Sequence, residues 1–174
     1  EPNRIDTFYK LGEIYHTEKN YKKAIASFSK AITLITEPQK KDWYLYYSRG
    51  MAYERTKKWE NAEKDLLMAL KLYPNQPLVL NYLGYSWVDF GINLEKAEAY
   101  IQKAIDIRPN DGYFVDSLGW AFYRKGEYEK AVVELEKALE LVPSDPIIND
   151  HLGDALYKAG YTNEAVYQWK RVLL

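Results

Sequence analysis

The stretch DGYFVDSLGWAFYRKGEYEKA, residues 111–131, sets Asp116 and Ser117 beside Gly119 and Trp120, with Arg124 and Lys125 just downstream. Residues 148–165, INDHLGDALYKAGYTNEA, lie over it with Leu118-Gly119 on Leu152-Gly153 and Ala131 on Ala165. The chain repeats itself, and a repeat at a fixed period has to be read before any single residue in it.

Working outward from this pair, five glycines mark the period: Gly12, Gly50, Gly84, Gly119 and Gly153, spaced by 38, 34, 35 and 34 residues. Ala24, Ala62, Ala97, Ala131 and Ala165 form a second column, and Ala31, Ala69, Ala104, Ala138 and Val172 a third. Pro74, Pro109 and Pro143 close three of the units, where a helix has to end. Within each unit, apolar residues recur at helical spacing in two segments. In the fourth these are Val115, Leu118 and Phe122, then Val132, Leu135, Ala138 and Leu139. A short turn such as Lys125-Gly126-Glu127 joins them, so the two helices pack antiparallel. The small residues at Gly119 and Ala131 let the backbones approach where the helices cross. Larger ones fill the space beside them, in the columns Tyr15, Tyr53, Trp87, Phe122, Leu156 and Phe28, Leu66, Ile101, Leu135, Trp169. Asp145-Pro146 reads as an N-cap followed by proline at the first helical position. The spacing predicts helix pairs near 5–17/21–35, 43–56/59–72, 77–90/94–107, 112–125/128–141 and 146–159/162–174. No such unit buries its core alone, so neighbours must stack.

These columns resemble the tetratricopeptide repeat (TPR) family over nearly the whole chain. The resemblance implies an all-α, right-handed superhelical solenoid of five helix-turn-helix hairpins. It reads as a single array over residues 1–174, with repeats 5–38, 43–76, 77–111, 112–145 and 146–174, expected to be a piece of a longer protein. QKKD, residues 39–42, is an insertion, and GINL, 91–94, lengthens the third unit by one residue. Arg49 stands where the other units have leucine, Asn149 where they are apolar, and Val172 where they have alanine. No polar capping helix follows Leu174, so that end is expected to continue in a longer array or to be covered by a partner. NYLGYSW, INLEKAEAYIQKAI and INDHLGDALYKAG are similar to the C-terminal repeats of longer bacterial TPR proteins of alphaproteobacterial type. That similarity implies a periplasmic or membrane-associated setting if a targeting signal has been removed. A cytoplasmic setting stands beside it.

Composition narrows the chemistry. The 174 residues carry 24 Lys and Arg against 25 Asp and Glu, a formal charge of −1, without the basic excess of a nucleic-acid binder. There is no cysteine, hence no disulfide or thiolate site, and no apolar run approaches the roughly 20 residues of a membrane span. Neither GxxxxGK[ST] nor GxGxxG occurs. The only histidines are His16 and His151; without cysteine they make no zinc spacing. Ser117 has no histidine near it in sequence, although His151 falls at the equivalent position one repeat later. Asp116 and Ser117 therefore read as a polar pair, not a hydrolase site. No catalysis and no cofactor are expected. The run KLGEIYHTEKNYKK, residues 10–23, reads as the mixed-charge solvated face usual for such helices.

The TPR resemblance implies that the first helix of each hairpin lines a concave groove with its positions 2, 5, 9 and 12. Here these are Asp6, Tyr9, Glu13 and His16, then Tyr44, Tyr47, Met51 and Glu54, then Leu78, Asn81, Tyr85 and Val88. Tyr113, Asp116, Trp120 and Tyr123 follow, and last Ile147, Asp150, Asp154 and Tyr157. Seven tyrosines and a tryptophan give either an aromatic groove that leans acidic, fit for a protein or peptide segment with apolar and basic residues, or rings that in part only pack between neighbouring first helices. The clamp by which some TPR proteins grip acidic chaperone tails needs Lys, Arg and Asn. Its first window here reads Tyr9, Glu13, Ser48, Leu78 and Tyr82. Two other roles compete with groove binding. One is homo-oligomerisation through an uncapped last helix bearing Tyr167, Trp169, Val172, Leu173 and Leu174. The other is RNA binding by the related pentatricopeptide type of array, against which the charge balance and the acidic groove stand.

Overall fold

The computed structural model describes residues 2–173, with side chains from Arg4 onward. Among them are ten α-helices and no strand, in two compact units divided between Val79 and Leu80.

The first unit holds α1 (Pro2–Thr17), α2 (Tyr21–Thr33), α3 (Trp43–Arg55), α4 (Trp59–Leu72) and the first turn of α5 (Pro77–Phe90). The insertion before α3 is ordered. Lys40–Asp42 forms a 3-10 turn, closed by the Gln39 N–H donating to Asp42 Oδ2 at 2.8 Å. Ala24, Phe28 and Ala52 form the core where α2 packs on α3, with Tyr9, Tyr15 and Ile25 against it.

The second unit holds the rest of α5, then α6 (Leu94–Ile107), α7 (Gly112–Lys125), α8 (Tyr128–Leu141), α9 (Pro146–Lys158) and α10 (Thr162–Val172). Helix α8 shows why these segments are helical. YEKAVVELEKALEL consists largely of strong helix formers, and Ala131, Val132, Leu135 and Ala138 turn one stripe inward. Ala131, Val132 and Leu135 join Leu152, Ala155, Leu156 and Ala165 in one core, and Ala138 packs with Val115 and Ile148 in a second. Each large aliphatic side chain buried there contributes roughly 1.5–3 kcal/mol. Asp145 caps α9 as predicted, accepting from the N–H groups of Ile147 at 2.9 Å and Ile148 at 3.1 Å, with Pro146 in the first turn.

Both small-residue columns lie at the helix crossings. Ala24, Ala62, Ala97, Ala131 and Ala165 are fully buried, and a β-carbon on Gly119 would stand 2.6 Å from Leu135 Cγ. Observed helix bounds match the predicted pairs to within a few residues. Helix α1 starts earlier, at Pro2, and α2 stops at Thr33.

The departures from the repeat have local explanations. Arg49 grips buried Asp65 through Nε at 2.7 Å and an Nη at 2.9 Å, and its other Nη donates to Ser29 Oγ at 3.1 Å. Asn149 donates from Nδ2 to the Asp145 carbonyl at 2.7 Å, while its buried Oδ1 has no hydrogen-bond partner. Val172 is half-buried and Leu173 is 85% exposed; Leu174 lies outside the described residues.

Candidate functional site

The predicted groove positions divide between the two units. In the first unit the tyrosines mostly engage one another. Tyr9 meets Tyr44 edge-on, 4.6 Å between ring centres, leans on Phe28 at 5.8 Å, and donates from its hydroxyl to Glu13 Oε1 at 2.8 Å. Burial, reinforced by the Glu13 carboxylate, pushes the Tyr9 phenol up to about 12. Burial alone pushes Tyr47 up to about 12, and its ring tilts against Trp43 at 5.7 Å. Tyr44 is raised as well, by burial and then by Asp6, Asp42 and Glu13. Met51 and Glu54 are half-buried, and Asp6 and Glu13 are exposed. His16 sits edge-on to Tyr21 at 5.2 Å with its Nε2 buried and unbonded; burial and then Arg55 lower its pKa. Leu78, at the start of α5, is exposed.

In the second unit, α5 brings Asn81 and Tyr85 to half-burial, but Val88 is fully buried and belongs to the core. Helices α7 and α9 hold the more structured site. Asp116 and His151 are 6% and 8% exposed and meet at 2.9 Å between Oδ1 and Nδ1. With Asp116 a carboxylate acceptor, Nδ1 carries the proton. Trp120 lies flat on the His151 ring, 4.2 Å between centres and 15° apart, and its other neighbour in the stack is Tyr123 at 4.6 Å and 11°. Its buried Nε1 has no hydrogen-bond partner. Burial, then Asp154 and Tyr128, raise the Tyr123 pKa. Asp116 is therefore consumed within the fold, and the acidity of this stripe rests on Asp150 and Asp154. Asp150 is exposed. Asp154 is held above the usual carboxylate value, chiefly by burial and then by Asp150, although a hydrogen bond from Trp169 works the other way. Tyr113 and Tyr157, by contrast, are 57% and 53% exposed, and Ile147 is exposed beside them in the sequence pattern.

Ser117 donates to the Tyr113 carbonyl of its own helix at 2.9 Å, and His151 Nδ1 is engaged by Asp116. Among the described residues no group of three or more His, Cys, Asp or Glu could hold a metal ion, and no helix is long and apolar enough to cross a membrane. Sequence reasoning missed His151 as a supporting residue. The signal lay in its register: it follows Asp116 by one repeat plus one residue, which places the two on facing turns of consecutive first helices.

Three family models match the chain: a TPR repeat at residues 119–160, a tetratricopeptide repeat at 5–37 and 93–111, and another at 43–76. A TPR repeat-containing protein of Pseudomonas aeruginosa is 35% identical over 86 residues, 49% of this chain and 15% of that protein. The heat shock protein STI1 of Saccharomyces cerevisiae is 31% identical over 102 residues, 59% of this chain and 17% of that protein. The chain thus spans less than a fifth of the length of these curated relatives. Among solved structures, a tetratricopeptide repeat protein from Parabacteroides merdae superposes with a TM-score of 0.84 at 17% identity, covering 99% of this chain and 66% of that one. MamA from Desulfovibrio magneticus, from its residue 41 on, gives 0.81 at 17% identity, covering 98% and 93%. At such identities the likeness is one of fold, an all-helical repeat solenoid. With the glycine and alanine columns at the helix crossings, and TPR models that together match residues 5–37, 43–76, 93–111 and 119–160, the chain belongs to the tetratricopeptide repeat family.

Proposed function

We propose that this chain is a non-catalytic protein-interaction scaffold whose second unit holds a protein segment bearing apolar and basic residues on the α7/α9 stripe. The observation that carries this reading is a division of labour on the two helices. Trp120, His151 and Asp116 lock together, while Tyr113 and Tyr157 stand more than half exposed beside Asp150 and Asp154. Tyrosine offers large contact area with a polar tip at low entropic cost. A partially desolvated carboxylate pressed by a like charge gains when a cation arrives, so Asp154 favours Lys or Arg in the bound segment. Membership of a family of interaction modules supports the reading.

The test is selection from a displayed peptide library on the immobilised chain, repeated with a Tyr113→Ala/Tyr157→Ala/Asp154→Asn variant of unchanged helical content. The wild type should enrich peptides pairing an aromatic or aliphatic residue with Lys or Arg, and the variant should lose them. Equal enrichment by both proteins would remove the stripe from the binding surface. The exposed face of α10, with Tyr167 and Leu173, supports self-association as a second reading, which light scattering over a concentration range reads out.

A further inference from the structure

The hairpin turns of the first unit depart from those of the second in one consistent way. Two turns of each unit close alike. Lys19 N–H donates to His16 O at 3.0 Å and Asn20 N–H to Tyr15 O at 2.8 Å; Lys57 N–H donates to Glu54 O at 2.8 Å and Lys58 N–H to Tyr53 O at 2.9 Å. Gly126 and Glu127, and Gly160 and Tyr161, make the equivalent pairs. Such a closure needs one residue in the left-handed region, which glycine enters without steric cost. Gly126 and Gly160 do so at φ 81° and 93°, but in the first unit the same position is lysine, Lys19 at 58° and Lys57 at 60°. Space does not demand glycine, since a β-carbon on Gly126 or Gly160 would meet nothing within 4 Å. Backbone preference alone therefore disfavours the two lysines, and a side-chain role has to be sought for them.

Their surroundings define that role. Lys22 and Lys23 stand in the first turn of α2, and Lys58 immediately precedes α4. Both are helix N-termini, where the macrodipole disfavours positive charge. Arg55 adds a sixth cation. Helix α3 packs on both α1 and α2, which puts the turn after α1 and the turn after α3 on one edge. Within residues 18–23 and 54–60 these six cations are accompanied by Glu18, Glu54 and Glu60. Arg55 is 3.5 Å from Glu54 and Lys23 lies over the Tyr15 ring. Lys19, Lys22, Lys57 and Lys58 are exposed and form no ion pair among the described residues. At the α7–α8 turn of the second unit the cations are matched: Lys125 with Glu98 and Glu127, Lys130 with Glu127, Arg124 with Asp89. Residues 1–79 carry 14 Lys and Arg against 10 Asp and Glu, and residues 80–174 carry 10 against 15. The overall charge of −1 conceals this asymmetry.

We infer that this edge, Lys19–Lys23 and Arg55–Lys58, is a docking strip for an acidic polypeptide segment, whose carboxylates seat on the four unpaired lysines. A lipid surface is a poorer occupant, because no large apolar side chain of the strip is exposed to insert into it. A nucleic acid is a poorer one too, because the strip offers no free ring for stacking: Tyr15 lies under Lys23 and Tyr21 against His16. The strip is separate from the α7/α9 stripe and takes the opposite charge.

The experiment is fluorescence anisotropy with a labelled peptide of alternating glutamate and glycine, on the whole chain. The first variant, Lys19→Gly/Lys57→Gly, restores the residue that the other two turns use and so keeps the fold. The second, Lys22→Gln/Lys58→Gln, leaves the turn backbone untouched. A control, Lys103→Gln/Lys170→Gln, removes equal charge from the second unit. At about 50 mM salt each edge variant should weaken binding about tenfold and the control less than about twofold, the difference shrinking as salt is raised. Equal weakening by edge and control variants would overturn the strip, and so would no measurable peptide binding by the wild type. Binding of phosphatidylserine vesicles or a single-stranded oligonucleotide through these lysines, with the peptide left unbound, would overturn the acidic-segment assignment.

Discussion

Replacing Arg49 with leucine gives the second hairpin the residue that the other four carry at the same place, Leu11, Leu83, Leu118 and Leu152. Repeat logic alone predicts a gain in stability; the structure predicts a loss. Arg49 holds Asp65 through two hydrogen bonds of 2.7 and 2.9 Å, with the two side chains 18% and 7% exposed. Burial works against the guanidinium charge, but Asp65 more than restores it. Leucine at 49 would leave the Asp65 carboxylate buried and alone, and stranding one partner of such a pair costs about 3–5 kcal/mol. The first hairpin shows the remedy, because at the equivalent two positions it has Leu11 and Ser27. The double variant Arg49→Leu/Asp65→Ser should therefore lie within about 1 kcal/mol of the wild type, since a buried ion pair is seldom worth more than good apolar packing. Urea unfolding followed by circular dichroism measures all three proteins and Asp65→Ser, which closes the cycle. The reasoning requires a coupling of at least about 2 kcal/mol between the sites. If Arg49→Leu alone is tolerated, or the two single losses simply add, the ion pair is not what holds this position.

Two further outcomes follow from the geometry. Gly84→Ala places a β-carbon 2.8 Å from Ile101 Cγ1 and 2.9 Å from the Ala97 carbonyl oxygen, whereas at Gly50 the nearest atoms are 3.1 and 3.3 Å away. Overpacking should cost Gly84→Ala about 1–3 kcal/mol. At Gly50 the helix propensity gained by alanine, about 1 kcal/mol, should offset most of the smaller clash; equal melting temperatures would contradict the crossing geometry. Asp154 has a raised folded-state pKa, so the native state binds more protons than the unfolded chain just above the ordinary carboxylate value of 3.8, and stability falls as pH rises through that window. Asp154→Asn should raise the melting temperature at neutral pH and lose that advantage below about pH 4. A pH-independent difference would show that Asp154 acts through something other than its charge.

Much of the fold was legible because its determinants are local and repeated. Glycine and alanine at each crossing, proline after three of the second helices and an apolar stripe at helical spacing all recur at one period, and the helices stand where that period puts them. The site was legible only in outline. Positions 2, 5, 9 and 12 share a stripe of each first helix, but the stripe says nothing of which side chains a neighbouring helix covers. Val88 is buried for that reason, and Asp116 is withdrawn by a histidine one repeat away. The Arg49–Asp65 pair was equally hidden: its members are 16 residues apart on different helices, and the column shows only that arginine is out of place. Lys19 and Lys57 looked like ordinary solvated charge, because nothing in their identity reveals a left-handed backbone.

The stack on α7 and α9 gives the molecule an optical property. The indole of Trp120 lies flat on the His151 imidazole, 4.2 Å between centres, so separating α9 from α7 changes its surroundings and is expected to shift its emission. A Trp120→Phe difference spectrum isolates its signal from those of the other four tryptophans. The second unit carries its own unlabelled gauge of whether these two helices are closed.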